Sequence, residues 1–264
     1  MNRTVRSMIV ILSFGCFFQS AAGAETLRES FNKTYSVKSG SNLILSNVNG
    51  NVEVGVWNRP EVRVIAEKKI EGKPDYVRKA MSQVKIEVQQ SGGSLQVKTR
   101  MPKDGDGVWS WLAGEHVSTN VNYRIQVPQN MNLTVATVNG RIAVLGVHGL
   151  IELETTNGAI QTSQTAGSLK AETTNGSINA ELTSVSPGRS MTLETTNGGI
   201  SVMVPGTMHA DVEARTTNGR ISSDLPITVQ GKIMKNSLSG KLNGGGPELI
   251  LRTTNGGIDI RKGK

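Results

Sequence analysis

The chain has 264 residues, a net charge of +8 and one cysteine, Cys16. A lone cysteine excludes an internal disulfide framework, so stability must come from core packing and backbone pairing. The length is sufficient for one large all-β domain or two small ones. The mild positive charge favours acidic partners only weakly, because many soluble proteins are kept away from zero charge.

Residues 1–24 have the pattern of a signal peptide. Arg3 and Arg6 precede an apolar run, Met8–Phe18, and Ala22-Gly23-Ala24 follows as a cleavage site of small residues. The leader contains two arginines and no acidic residue, so its removal lowers the net charge from +8 to +6. We therefore expect an exported protein, periplasmic or secreted, whose mature chain begins at Glu25.

A lipid anchor on Cys16 is the alternative for this leader. Cys16 follows Ser13-Phe14-Gly15, in the manner of a lipoprotein processing site. However, Phe14 is bulky where such sites carry a small residue, and Phe17 continues the apolar run beyond the cysteine. Soluble export is therefore favoured, and no later segment has the apolar length needed to cross a bilayer.

Residues 25–128 are predicted to form an opening coil and an inserted cap. They precede the repeat described below, whose stacked coils predict a solenoid, and a solenoid must shield the first edge of its stack. Asn49-Gly50 followed by Val52-Glu53-Val54 indicates a corner and a strand. Lys73–Val84 is the one predicted helix, since Pro74 suits its first turn and apolar residues recur on one face. Further strand-like segments are Val62–Ala66, Val84–Gln90, Leu95–Thr99 and Val121–Val127.

Residues 101–118 form a glycine-rich excursion between two predicted strands. It contains Trp109 and Trp111, two of the three tryptophans of the chain. Paired aromatic side chains on a loop can stack on sugar rings or anchor a protein partner. They can equally pack as a plug on the end of a solenoid, and the sequence leaves both alternatives open.

Residues 129–264 are predicted to be a repeat domain. The tetrapeptide TTNG occurs at Thr155–Gly158, Thr173–Gly176, Thr195–Gly198, Thr216–Gly219 and Thr253–Gly256. Glycines recur every nine residues from Gly140 to Gly176, because weaker corners at Gly149 and Gly167 alternate with the Asn-Gly corners. Ser239-Gly240 has the appearance of a degenerate corner. The repeat indicates about seven coils of stacked strands, with Gly256 in the last one.

The segments between corners are short, alternating and rich in β-branched residues, as is typical of strands. Asn-Gly also favours hairpins, but hairpins do not require nearly identical corners at a fixed period, whereas stacked coils do. We therefore predict an all-β fold: a single-stranded parallel β-solenoid of the β-helix or β-roll type. Its N-terminal β-rich cap carries one short helix.

Stacking suggests a structural role for the corner residues. Each asparagine amide can hydrogen-bond to the asparagine above and below, about 4.8 Å away. Each glycine can adopt the positive φ that a tight corner needs. The predicted corner ladder contains Asn139, Asn157, Asn175, Asn197, Asn218 and Asn255, with Gly140, Gly158, Gly176, Gly198, Gly219 and Gly256. Of each Thr-Thr pair, one residue should point inwards and the other outwards.

These motifs resemble a known family. The series NVNGNVEV, VNYRIQVPQNMNLTVATVNGRIAV and repeated TTNGxI is similar to the bacterial putative-adhesin family of β-solenoid domains, a domain of unknown function. The similarity covers essentially the whole mature chain. It implies an exported, adhesin-like β-solenoid without an established enzymatic activity.

Charged residues three positions before the corners supply the main candidates for chemistry. Glu154, Glu172 and Glu194 form an acidic strip, and a carbohydrate-active β-helix enzyme, a polysaccharide lyase or hydrolase, would use such carboxylates. No acid is paired with a distinctive base, so a solvated charged face is favoured. The three histidines lack metal-ligand spacing. We predict no catalytic, cofactor-binding or metal-binding residue and no cofactor.

The favoured function is a non-enzymatic binding or structural module of the cell envelope. Basic residues gather towards the carboxyl end, which favours an anionic envelope polymer as partner, with another envelope protein as the alternative and no nucleic acid. The mature chain should have no transmembrane segment. The candidate partner contacts are Trp109, Trp111, Arg215, Arg252, Arg261 and Lys262.

Overall fold

The computed structural model describes residues 24–101, 117–185, 189–229 and 234–263. Strands account for most of these residues. In the first half they are β1 (Glu25–Ser36), β2 (Asn42–Ser46), β3 (Val52–Val56), β4 (Glu61–Gly72), β5 (Lys85–Ser91), β6 (Ser94–Arg100), β7 (Ser118–Val127), β8 (Asn132–Asn139) and β9 (Ile142–Leu145). The helix α1 (Pro74–Gln83) lies within the predicted helical segment.

The second half continues the same pattern. Its strands are β10 (His148–Asn157), β11 (Ile160–Asn175), β12 (Ile178–Val185), β13 (Met191–Asn197), β14 (Ile200–Val204), β15 (Ala210–Asn218), β16 (Ile221–Ser223), β17 (Ile227–Val229), β18 (Ser237–Leu242), β19 (Glu248–Asn255) and β20 (Ile258–Lys262). The predicted signal peptide and the Trp109–Trp111 loop lie outside the described residues, apart from Ala24.

The strands form two stacks that we name sheet 1 and sheet 2. Sheet 1 has the spatial order β5, β6, β2, β8, β10, β11, β13, β19, β15, β18, β17. Sheet 2 has the order β1, β4, β7, β3, β9, β11, β12, β14, β20, β16. The first half of β11 belongs to sheet 2 and its second half to sheet 1, so this strand runs through both.

One coil consists of a sheet 1 strand, an Asn-Gly corner and a sheet 2 strand. Side chains alternate along each strand, and the inward ones are Leu, Ile, Val and Ala in nearly every coil. Ile142, Ile160, Ile178, Ile200 and Ile258, for example, stack in register and are at most 1% exposed. The inward side chains form one hydrophobic cluster from Leu43 to Ile260, so burial of these columns is the main driving force for folding.

The prediction of an all-β, solenoid-like fold is confirmed, but the stack is mixed and not parallel throughout, as the prediction of a parallel β-solenoid required. Its middle is parallel, from β6 to β15 in sheet 1 and from β7 to β16 in sheet 2. Both ends are antiparallel: β1, β4 and β5 extend the first end, and the β17–β18 hairpin extends the other. The β5–β6 pair needs only the turn Gly92-Gly93, whereas a further parallel strand would need a long crossover.

The coils do not stack in the order of the chain. The last coil, β19 and β20, lies between the β13–β14 coil and the β15–β16 coil. Likewise β2 lies between β6 and β8. Gly256 belongs to the β19–β20 coil, so the prediction that it lies in the terminal coil of the stack is wrong. Ser239-Gly240 is not a corner either, since both residues pair with Glu213 and Val212 inside the antiparallel strand β18.

The corner asparagines form a continuous chain of side-chain hydrogen bonds. In spatial order the residues are Asn49, Asn139, Asn157, Asn175, Asn197, Asn255 and Asn218, and each amide donates to the carbonyl oxygen of the preceding one. The donor–acceptor distances lie between 2.7 and 2.8 Å. Every asparagine between Asn49 and Asn218 therefore both accepts and donates.

The corner glycines are required for close approach, and the prediction of a positive φ for them is wrong. Gly140, Gly158, Gly176, Gly198, Gly219 and Gly256 are all outside the positive-φ region. A Cβ added to Gly176 would lie 2.0 Å from the carbonyl oxygen of Gly158, and the other five positions show clashes of 1.9 to 2.0 Å. The backbones therefore pack with no room for a side chain.

The first threonine of each Thr-Thr pair completes the corner. Thr155, Thr173 and Thr195 are at most 6% exposed, and each hydroxyl donates to the carbonyl oxygen of the glycine in the preceding coil. Thr253 and Thr216 repeat the contact. This buried hydrogen bond satisfies an oxygen that the sheet ladder leaves free. The second threonine of each pair is exposed, as the alternation predicts.

A buried polar cluster replaces this arrangement near the first end of the stack. Asn47 takes the place of the inward threonine and donates to the carbonyl oxygens of Val121 and Gly50. The Thr99 hydroxyl donates to Asn47 and shares a 2.7 Å hydrogen bond with the Tyr123 hydroxyl. Burial raises the pKa of Tyr123 to about 12, although the bond to Thr99 opposes this shift.

Replacement of a ladder asparagine should cost more in the middle of the stack than at its end. Asn175→Ala removes the bonds to Asn157 and Asn197, and we expect a loss of about 1–3 kcal/mol in the free energy of unfolding. Asn218→Ala removes only the bond to Asn255 and should cost about half as much. Asn255→Ala should resemble Asn175→Ala. Equal and negligible losses in urea denaturation of all three variants would contradict a stabilising ladder.

A methyl group in the glycine column should be far more damaging than one elsewhere. Gly176→Ala places Cβ 2.0 Å from a backbone oxygen that cannot move without shifting a whole coil. We expect a loss above about 4 kcal/mol, or failure to fold. Gly55→Ala is the matched control, since its added Cβ has no atom within 4 Å. Similar melting temperatures for the two variants would show that the close packing is not needed.

Tyr123 should make the protein less stable above pH 10. The folded state holds the phenol proton up to about pH 12, whereas an unfolded tyrosine loses it near pH 10. The stabilisation is therefore fully present below pH 10 and is lost as the pH rises to 12, a difference of about 3 kcal/mol. Denaturation across this range should show the loss for the wild type. The Tyr123→Phe variant should lack this component, and an identical pH profile would refute the assignment.

Candidate functional site

An open groove runs along the stack at the Asn-Gly corners of sheet 1. We name it the TTN groove. It has a volume of about 410 Å³ and is lined by Glu154, Glu172, Glu194, Arg252 and the Thr-Thr pairs that follow each of them. Because the lining residues come from four neighbouring strands in register, equivalent hydroxyls recur at every coil, about 4.8 Å apart.

The parallel register explains how the charged residues meet. Glu154 lies opposite Glu172, Glu172 opposite Glu194, and Glu194 opposite Arg252. Arg215 follows as the next neighbour of Arg252. The spatial order thus differs from the sequence order, because the last coil is inserted before the β15–β16 coil. The structure brings the predicted acidic strip and two of the predicted basic contacts onto one row of sheet 1.

Ion pairs partly neutralise this row. Lys170 lies 2.9 Å from Glu172, and Arg252 lies 3.1 Å from Glu194 and 3.2 Å from Glu213. The hydrogen bond to Glu172, with smaller contributions from Glu152 and Glu154, raises the pKa of Lys170. The pKa of Arg252 is also raised, chiefly by its hydrogen bond to Glu213. Glu154 has no ion-pair partner within the four described segments.

The predicted basic surface at the carboxyl end is divided. Arg215 and Arg252 lie in sheet 1, where both pair with Glu213. Arg261 and Lys262 lie in sheet 2, beside Met203 and Val204, and Arg261 is 3.8 Å from Asp259. The four residues therefore belong to two separate faces. Trp109 and Trp111, the other predicted contacts, lie outside the described residues.

A second groove lies at the other end of the same sheet 1 strands, at the weak corners. We name it the donor groove. It has a volume of about 380 Å³ and is lined by Asn130, Asn132, His148, Gly149, Leu150, Ala166, Gly167, Ser168, Ser184 and Arg189. None of these residues is acidic. Gly149 lies about 20 Å along the strand from Thr155, so the two grooves are separate.

Sequence reasoning missed the donor groove. The nine-residue spacing did place Gly149 and Gly167 in a second column of corners, and they are paired in register. However, Asn130, Asn132 and Arg189 fit no repeating motif, because Asn130 and Asn132 belong to the coil of β8, Arg189 precedes β13, and no equivalent residue recurs in the other coils. Only the stacking of β8, β10, β11 and the start of β13 brings them together.

The described residues show neither a candidate metal site nor a membrane-spanning helix. Within residues 24–101, 117–185, 189–229 and 234–263, no three His, Cys, Asp or Glu side chains cluster closely enough to hold a metal ion. Two of the three histidines, His148 and His209, are described; His148 lies in the donor groove. The same segments contain no helix with the length and apolar character of a membrane span.

Stacked strands with open polar grooves define a binding or structural module. The chain belongs to the Toastrack DUF4097 family, which matches residues 33–261. The predicted family relationship is thereby confirmed, and the match covers both the predicted cap and the repeat.

Solved structures with similar architecture come from several bacteria. A putative cell adhesion protein from Clostridium sporogenes is 12% identical, with a TM-score of 0.49, over 89% of this chain and 100% of its own. A putative adhesin from Bacteroides fragilis is 12% identical, with a TM-score of 0.41, over 89% and 97%. A putative adhesin from Parabacteroides merdae is 10% identical, with a TM-score of 0.30, over the same shares. The comparison with curated proteins finds no match.

Proposed function

We propose that the protein is an exported, non-enzymatic module of the cell envelope that holds an extended polymer against its stacked strands. The observation that carries this proposal is the repetition along the TTN groove. Glu154, Glu172 and Glu194 recur on three neighbouring strands, and two positions after each of them stands an exposed threonine. A chain molecule with repeated polar groups can use such a surface coil after coil, whereas a small substrate is usually enclosed in a pocket.

The partner that we propose is an anionic envelope polysaccharide, with another envelope protein as the alternative. Polysaccharide hydroxyls can donate to the glutamates and threonines of the TTN groove. Acidic groups would be repelled by Glu154, whose charge is unpaired within the described part of the chain. They therefore need a basic surface elsewhere. Arg215 and Arg252 suit this role poorly, because Glu213 and Glu194 already pair with them.

The charge arrangement supports binding without turnover. General acid–base catalysis on a glycoside uses two carboxyl groups in different environments on either side of the bond. Here, Glu172 is paired with Lys170 and Glu194 with Arg252, and both lie in one column on the same face. A carbohydrate-active enzyme that uses this strip remains the competing hypothesis, and its activity would depend on Glu172 or Glu194.

Export rests on the leader pattern of residues 1–24. A polymer of the envelope can meet the protein only if that leader directs the chain out of the cytoplasm. The mature protein used for binding measurements should therefore begin at Glu25, as intact mass spectrometry of the exported chain would show. A mature start at Cys16 with added acyl mass would instead place the module on a membrane.

The mature protein should bind alginate, a polyuronate, in a salt-sensitive manner and should not cleave it. Binding should weaken steeply between about 0.01 M and 1 M salt, since the screening length falls from about 30 to about 3 Å. The double variant Thr156→Val, Thr174→Val removes two exposed hydroxyls of the TTN groove without changing its charge. It should bind at least about fivefold more weakly, the cost of about one hydrogen bond. Titration calorimetry and a reducing-end assay measure both properties.

The matched control is the double variant Thr34→Val, Thr228→Val, which removes two exposed hydroxyls from β1 and β17, outside the TTN groove. It should bind alginate at least as well as the wild type. Equal weakening in both double variants would contradict a contact in the TTN groove. Salt-independent binding would favour Trp109 and Trp111 as the contact. Released oligosaccharide that disappears in Glu172→Gln or Glu194→Gln would establish the enzyme instead.

A further inference from the structure

We infer that the donor groove is a binding site for the carboxylate or phosphate group of an acidic saccharide. This inference rests on the proposed function and identifies where the acidic groups of the polymer bind. The groove offers the guanidinium of Arg189, the imidazole of His148, the amide of Asn130 and the hydroxyl of Ser184, and none of its ten lining residues carries a negative charge. Hydrogen-bond donors without a competing carboxylate select an anion.

Arg189 supplies the charge. Its side chain is exposed and has no ion-pair partner in the described segments, unlike Arg252 and Arg215. A guanidinium presents donors in a planar fork that matches the two oxygens of a carboxylate or phosphate. Because Arg189 is not neutralised by a neighbouring acid, an anion does not have to displace an existing partner.

The other side of the groove is a fixed framework. The Asn132 amide donates to Asn42 and to the carbonyl oxygen of Gly40, and its oxygen accepts from the backbone N–H of Leu150. The Ser168 hydroxyl donates to the carbonyl oxygen of Ser190. The backbone of His148 is bonded on both sides, to Gln129 and Met131. A site whose frame is already held by hydrogen bonds loses little entropy when a ligand enters. Asn130 and Ser184 remain with side-chain polar groups that form no hydrogen bond to the described residues.

The floor of the groove is backbone, because Gly149 and Gly167 stack there. A Cβ on Gly167 would lie 2.2 Å from the carbonyl oxygen of Gly149, so the floor can carry no side chain and a ligand can approach it closely. Leu150 stands beside it with 39% of its surface exposed. An apolar side chain next to donors suits the carbon face and acidic group of one sugar unit.

Charged neighbours outside the groove do not cancel this preference. The next outward position on β10 is Glu152, which pairs in register with Lys170 on β11. Lys170 in turn binds Glu172 at 2.9 Å, on the TTN side. On the other side of the groove, the register of β13 and β19 places Glu248 beside Ser190, next to Arg189. Glu248 does not line the groove and forms no ion pair with Arg189 within the described segments, so the guanidinium keeps its charge available.

The test compares two arginines of equal charge in the full-length protein. Arg189→Gln should weaken the binding of a defined alginate oligosaccharide at least tenfold by calorimetry. Arg220→Gln is the matched control, since Arg220 is an exposed arginine at a corner of the other sheet; it should change binding less than twofold. Equal weakening by both would mean general charge attraction and would overturn the inference. Unchanged thermal midpoints would show that both variants fold.

Monomeric probes separate this inference from the proposed function. Glucuronate and inorganic phosphate, added to the isotope-labelled protein, should shift the amide resonances of Gly149 and Gly167 but not those of Gly158 and Gly176. A response to glucuronate alone identifies a uronate, and a response to phosphate alone identifies a phosphate-bearing saccharide. Shifts of the Gly149 and Gly167 resonances without any binding of the polymer would support the donor groove as an anion site and refute the polymer module. Polymer binding without these shifts, together with unchanged binding by the Arg189→Gln variant, would refute the donor groove as an anion site and support the polymer module.

Discussion

The architecture depends on the contact of backbone with backbone at the Asn-Gly corners. A glycine in each coil lies against the carbonyl oxygen of the glycine in the coil before it, with no space for a Cβ. That contact sets the position of the asparagine amide for its bond to the next coil and of the inward threonine hydroxyl for its bond to the glycine oxygen. The motif TTNG is therefore one device, in which every residue but the exposed second threonine contributes to the same stacking contact.

Equivalence of the coils also explains why the chain order and the spatial order differ. The β13–β14, β15–β16 and β19–β20 coils all present Thr, Asn and Gly at the same positions, so any of them could stack on any other. The choice is made by the connections. The antiparallel strand β18 lies on the outer side of β15, and the short segment that follows it leads the chain back to the inner side. Arg252 then lies between Glu194 and Glu213 and binds both.

The sequence predicts the repeating part of this fold well and its ends poorly. Strand alternation, the corner positions and α1 are all visible as local patterns, because each is produced by residues close together in the chain. The order of the coils and the antiparallel ends depend on contacts between distant segments whose patterns are the same, so no local signal distinguishes them. The reason for glycine at the corners is hidden in the sequence in a related way, because its close contact is with a backbone oxygen of another coil. The acidic row was predictable from periodicity, whereas the donor groove was not, because Asn130, His148 and Arg189 recur in no repeat.

The two grooves give sheet 1 a polarity across its strands. At one end of β10 and β11 the outward groups are carboxylates and threonine hydroxyls, and at the other end they are amides, an imidazole and an unpaired guanidinium. The corner residues Gly149 and Thr155 of the two grooves lie about 20 Å apart along β10. An acidic saccharide has the same two kinds of group, hydroxyls that donate and acids that accept. A polymer long enough to cross the sheet can therefore satisfy both grooves at once, and the effective concentration at the second groove rises when the first is occupied. In the proposed module, weak contacts at each groove would then suffice for stable attachment of a polymer that the protein does not enclose.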